Sequence, residues 1–126
     1  MKELTKAEEQ IMQILWQLQE GIVKDILERI PDPKPAYNTV STVVRVLEGK
    51  GFIDHKAYGN SHVYFPIVSE DAYKKFTVDK LMTNYFDNSY KSLVSFIADE
   101  QKLGLKELDE LTELINNLKK QKKWTG

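Results

Sequence analysis

Residues Asn38 to Pro66 read NTVSTVVRVLEGKGFIDHKAYGNSHVYFP, and this stretch decides the fold. At about 100° per residue, Val40, Val43, Val44 and Leu47 fall on one side of a helix. Asn38, Thr42, Arg45 and Gly49 fall on the opposite side, with Ser41 beside them. Gly51 suits a C-terminal turn. Two strand-like runs follow, Phe52–Ala57 and His62–Ile67, around the turn signal Gly59-Asn60. Pro66 confines the end of the second run to a sheet edge.

Upstream, Thr5-Lys6-Ala7-Glu8 has the form of a capping box. Ile11, Met12, Leu15 and Leu18 then recur at helical spacing, predicting a helix over residues 6–19 that ends at Glu20-Gly21. Val23, Ile26, Leu27 and Ile30 form a second stripe over 23–30, with Ile22-Val23 either a short strand or the lead-in to it. Pro31, Pro33 and Pro35 stop that helix. Helix, helix, helix and basic hairpin, in that order, is the sequence form of a winged helix.

Downstream, Ser69-Glu70-Asp71 opens a helix running to about residue 86, and Asp87-Asn88-Ser89 breaks it. Leu93, Val94, Phe96 and Ile97 make a short apolar helix. After Gly104, Leu108, Leu111, Ile115 and Leu118 recur at a/d spacing. The chain therefore reads as mainly α with a minor β component. Residues 1–68 form a winged-helix DNA-binding domain, and residues 69–126 a helical region suited to dimerisation.

Composition sets the bounds. Hydrophobic residues make up 41% of the 126 and charged residues 29%, enough for a packed core. With no cysteine there are no disulfides, thiolate chemistry or cysteine zinc sites, which fits a reducing cytoplasm. No apolar run reaches the ~20 residues of a membrane span, and the N-terminus does not read as a signal peptide. The expectation is a cytoplasmic protein without membrane insertion. Net charge is −1, unlike the strong basicity of many DNA-binding domains. Between Pro33 and Phe52, however, Lys34, Arg45 and Lys50 face a single acid, Glu48.

A recognition helix needs short side chains outward so that its backbone approaches base edges. Asn38, Thr39, Ser41 and Thr42 suit base or phosphate contacts, and Arg45 can fork onto guanine. Lys50, and Lys56, Asn60, Ser61 and His62 of the hairpin, complete the candidate DNA-binding set along phosphates or the minor groove. His55 and His62 can meet across the hairpin but lack further ligands for a metal. Trp16 and Trp124 read as packing residues. No phosphate loop, HExxH, GxSxG or acid pair is present, so neither an enzyme nor a cofactor is expected. Leu108, Leu111, Ile115 and Leu118 are the expected homodimer seam, since paired helix-turn-helix units read two half-sites. Two other readings stay open: a protein-interaction module, and a repressor released by a small molecule lodged among Tyr73, Phe76, Tyr85 and Phe86.

Four segments carry a family resemblance: LTKAEEQIMQILW at Leu4–Trp16, NTVSTVVRVLEGKGFI at Asn38–Ile53, AYGNSHVYFP at Ala57–Pro66 and YKSLVSFIADEQKL at Tyr90–Leu103. In order and spacing they resemble the BlaI/MecI/CopY penicillinase-repressor family. The resemblance implies a homodimeric winged-helix repressor on palindromic double-stranded operator DNA. It also implies inactivation by a regulatory protease that cuts in the C-terminal segment. Members often carry Arg at the position of Val46, whereas here Arg45 precedes it, so the resemblance does not fix the operator sequence. Ser95-Phe96 stands where members often have a cleavable Asn-Phe. The cysteine cluster of copper-responsive members is absent.

Overall fold

The computed structural model describes residues 1–100 and 103–125, with side chains of the last helix described through Lys123; Trp124's side chain lies outside the described residues. In chain order the elements are α1 Lys6–Leu18, α2 Val23–Arg29, α3 Tyr37–Gly49, β1 Ile53–Tyr58, β2 Ser61–Pro66, α4 Glu70–Tyr85, α5 Tyr90–Glu100 and α6 Leu105–Thr125. This is a winged helix followed by helices.

The chain divides into two units, Met1–Thr77 and Val78–Gly126. The division falls later than the expected boundary after residue 68, because the first turns of α4 belong to the N-terminal core. Tyr73 is buried with its ring against Phe52, 5.8 Å between centroids, and against Trp16, 6.1 Å. Its hydroxyl accepts from the Leu4 amide at 3.0 Å, and Trp16 Nε1 donates to the Val68 carbonyl at 2.9 Å. Phe76 packs against the same core. Of the four aromatics considered for a small-molecule site, Tyr73 thus belongs to the core of the first unit and Phe76 packs against it.

In the first unit Leu4, Ile11, Met12, Leu15, Ile26, Val40, Val44, Leu47, Phe52, Ile53 and Tyr64 share one buried cluster. The capping box at the start of α1 is formed: the Thr5 amide donates to Glu8 Oε1 at 2.8 Å, and the Glu8 amide to Thr5 Oγ1 at 3.2 Å. Gln19, at a positive φ of 71°, turns the chain out of α1. Gly21 then bridges Tyr64, with Gly21 N donating to Tyr64 O at 2.9 Å and Tyr64 N to Gly21 O at 2.8 Å. The Ile22-Val23 ambiguity resolves accordingly: Gly21 bridges the sheet, Ile22 caps α2 and Val23 begins it.

β1 and β2 pair antiparallel from Ile53↔Pro66 to Tyr58↔Ser61. The two-residue connection is Gly59-Asn60, with Gly59 at φ +58°; a side chain at a positive φ is strained, so glycine suits the first central position of such a turn.

The second unit begins within α4. Asp87 and Asn88 adopt positive φ (51° and 59°) and break the chain between α4 and α5, where the sequence places the break. Ser89 Oγ accepts from the Ser92 amide at 3.1 Å and caps α5. Met82 is buried and Phe86 meets Phe96 edge-on at 5.7 Å, but α5 buries no residue. Leu105, Leu111, Leu114, Ile115 and Leu118 of α6 are exposed. Among the described residues no helix is long and apolar enough to cross a membrane.

Candidate nucleic-acid interface

The buried face of α3 fixes its outward face. Val40, Val44 and Leu47 are each at most 2% exposed, and Val43 packs against the same cluster. With that side anchored, Asn38, Thr39, Thr42 and Arg45 are exposed and Ser41 half-buried. Thr42 Oγ1 donates to the Asn38 carbonyl at 2.9 Å, which fixes its side chain against its own helix.

Between α2, α3 and the hairpin lies a concavity of about 340 Å³. Its lining includes Ser41 and Arg45 of α3 together with Asn60, Ser61 and His62 of the hairpin, so five of the residues picked from sequence meet there. Tyr37, Lys24 and Tyr64 line it too, with Ile22 and Val23. Tyr37 was legible: it stands four residues before Ser41 and eight before Arg45, on their face of the helix. Lys24 was not, because no spacing along the chain ties α2 to the hairpin. Burial foremost, with Glu48 reinforcing it, Arg45 opposing it and Tyr37 adding to it, pushes the Tyr64 hydroxyl up from its ordinary pKa, so it stays a neutral hydroxyl at physiological pH.

The expected local basicity is redistributed. Lys50, one of the candidate residues, pairs through its Nζ with Glu8 Oε1 at 2.7 Å, and Glu8's side chain is 5% exposed. It ties the end of α3 to α1. Lys34 Nζ donates to the Leu27 and Glu28 carbonyls at 3.2 and 3.1 Å and to the Ile30 carbonyl, so it caps α2. Lys56 approaches Glu20 at 3.4 Å and lies over the Tyr58 and Phe65 rings. Lys24 and Arg45 form no ion pair among the described residues.

His55 and His62 do meet, their rings stacked at 4.2 Å. His55 Nδ1 is hydrogen-bonded to Glu48 Oε2. The trio that could hold an ion is different from that pair: Glu48, Asp54 and His55 bring one ligand atom each within 4.8 Å of one another.

The model of the penicillinase repressor family matches residues 4–117. The chain is 28% identical over 115 residues to the methicillin resistance regulatory protein MecI of Staphylococcus aureus strain N315, covering 90% of this chain and 94% of that protein. It is 27% identical over 119 residues to the penicillinase repressor of Staphylococcus aureus, covering 94% of each. A solved structure of the CopR repressor aligns at 28% identity with a TM-score of 0.45, over 52% of this chain and 97% of that one. With the family match running through both units, the chain belongs to the penicillinase repressor family of DNA-binding transcriptional repressors.

Proposed function

We propose that the protein represses transcription as a cytoplasmic homodimer on palindromic operator DNA, needs no cofactor, and is released by proteolysis in its C-terminal helices. One observation carries the reading: an exposed polar line on α3, held by a buried valine-leucine face, runs beside a hairpin that shares a concavity with it. A helix so anchored presents Asn38, Thr39, Ser41, Thr42 and Arg45 to the major groove, while Asn60, Ser61 and His62 flank the backbone.

The dimer seam is assigned to α6, where Leu108, Leu111, Ile115 and Leu118 form an apolar stripe that is largely solvent-exposed in the single chain. The Ser95–Phe96 bond sits inside α5. A protease needs extended chain, so cleavage there requires α5 to open locally, and a helix that buries no residue opens at low cost. A regulatory protease is the corresponding partner.

The test is selection of bound duplexes from a random pool, followed by footprinting. A protected palindrome with two half-sites supports the reading. Failure to enrich any sequence, together with a stable heterologous protein partner, would replace it with a protein-interaction module. Arg45→Ala is expected to weaken specific binding by about 1–3 kcal/mol, the worth of a bidentate contact to guanine. A footprint and affinity equal to wild type would remove Arg45 from the reading set.

A further inference from the structure

We infer that the concavity between α3 and the hairpin is a seat for one stretch of the DNA sugar–phosphate backbone, with Lys24 as its main backbone-positioning residue and the Tyr37 hydroxyl as a second donor. This rests on the reading of the chain as a DNA-binding protein, and deepens it by assigning a cation, Lys24, that the recognition helix and hairpin do not supply, and a donor at the first residue of α3.

The chain carries 19 acidic and 18 basic residues, so a random surface hollow would mix both signs. This one contains no carboxylate: its polar lining is Lys24, Arg45 and the uncharged donors Tyr37, Ser41, Asn60 and Ser61, with His62 and Tyr64. A concave, donor-rich wall without acids attracts an anion and focuses positive potential there. The cations expected to do this from sequence are engaged elsewhere, Lys50 by Glu8 and Lys34 by the end of α2. Lys24 and Arg45 are left to supply the charge, and they approach the hollow from two different helices.

Geometry separates their tasks. A helix lying in a major groove about 12 Å wide has a phosphate strand along each side. Arg45 belongs to the helix itself and reaches base edges. Lys24 belongs to α2, the other helix that lines the hollow, and is assigned to the strand that the hairpin covers. Contacts to phosphate position a protein without reading sequence.

The experiment uses the full chain, a duplex recovered by selection with wild-type protein, and a scrambled duplex of equal composition. Lys24→Ala is expected to weaken both duplexes by the same factor, roughly tenfold for the charge-assisted bond lost from each protomer and so about 100-fold for the dimer. It should lower the slope of log affinity against log salt by about 1.8 between about 50 and 200 mM, about 0.9 for the lysine lost from each protomer of the dimer, and leave the ratio between the duplexes unchanged. Tyr37→Phe should give a smaller uniform loss with no change in slope, and Lys24→Arg should restore the slope. Lys24 is exposed, so its variants are expected to keep the wild-type circular dichroism spectrum.

An unchanged slope and affinity for Lys24→Ala would overturn the seat while leaving DNA binding by the wild type intact. A changed ratio would also overturn it, by making Lys24 a base reader. If inorganic phosphate at constant ionic strength binds wild type but not Lys24→Ala while DNA affinities are equal, the hollow is a free-anion site and the backbone seat fails. If wild type enriches no duplex at all, the DNA-binding reading itself fails first.

Discussion

Val46 is 44% exposed on α3, one residue beyond Arg45 and four beyond Thr42. It is the most exposed valine of a helix whose other valines are buried or packed against the core. The apolar group a major groove offers is the thymine methyl. Replacing thymine by uracil at each half-site position should therefore cost wild type about 0.8 kcal/mol at one of them, the worth of a buried methyl-sized group. Val46→Ala should be indifferent to the same replacement; equal sensitivity in both proteins would place Val46 outside the groove. The lysines teach the complementary lesson. Lys34 and Lys50 count equally toward the local positive charge around Arg45 in the chain, but in the fold one caps a helix end and the other pairs with a buried glutamate. A lysine's four-carbon stem lets it satisfy whatever carboxylate or carbonyl the fold brings near, and sequence position does not say which.

Among the elements, α1 is held by a few polar contacts as well as by its apolar face. Burial raises the pKa of Glu8, but the hydrogen bond from Lys50, those from the Thr5 amide and hydroxyl, and the Lys50 charge outweigh it, so the net shift is downward. A carboxylate with a lowered folded-state pKa adds stability above its unfolded value, and that contribution disappears as pH falls through the folded one. Glu8→Gln is expected to lose about 1–3 kcal/mol at pH 7, since it weakens the cap and leaves Lys50 without its partner. The gap between variant and wild type in urea unfolding should narrow from about pH 5 downward, as the wild-type carboxyl protonates. A pH-independent gap would mean that packing, rather than charge, accounts for the loss. The capping box, the α3 faces and the hairpin turn were all legible from residues 5–8 and 38–66, because each depends on neighbours within a few positions. The Lys50–Glu8 pair joins residues 42 positions apart and has no local signature.

For the whole molecule the open issue is how a chain of net charge −1 holds DNA. Few unpaired cations face the proposed reading surface, so bulk electrostatics contribute less than in a strongly basic domain. Two linked half-site contacts raise affinity through effective concentration without any new contact. The stripe on α6, a helix of 21 residues and therefore about 31 Å long, is the assigned seam. Leu111→Asp combined with Ile115→Asp should give monomers in sedimentation, because two carboxylates cannot be buried unpaired in an apolar interface. The same variant should bind a palindromic duplex at least about 100-fold more weakly, the lower bound of the avidity gain. A dimer that persists would place the seam elsewhere on the chain.

The sequence by itself determined the winged-helix order, the buried and outward faces of α3, the hairpin turn and the break between α4 and α5. Each follows from periodicity, capping or turn chemistry, which act over one to two turns of chain. The family affiliation was visible in four segments for the same reason: their motifs are contiguous. Only the tertiary structure decided which cations are engaged in ion pairs or caps, that Tyr73 joins the core with Phe76 packed against it, and that Lys24 shares a hollow with Arg45 and the hairpin. Those outcomes depend on which distant groups packing brings together, and a charged side chain's role is set by the partner it finds there.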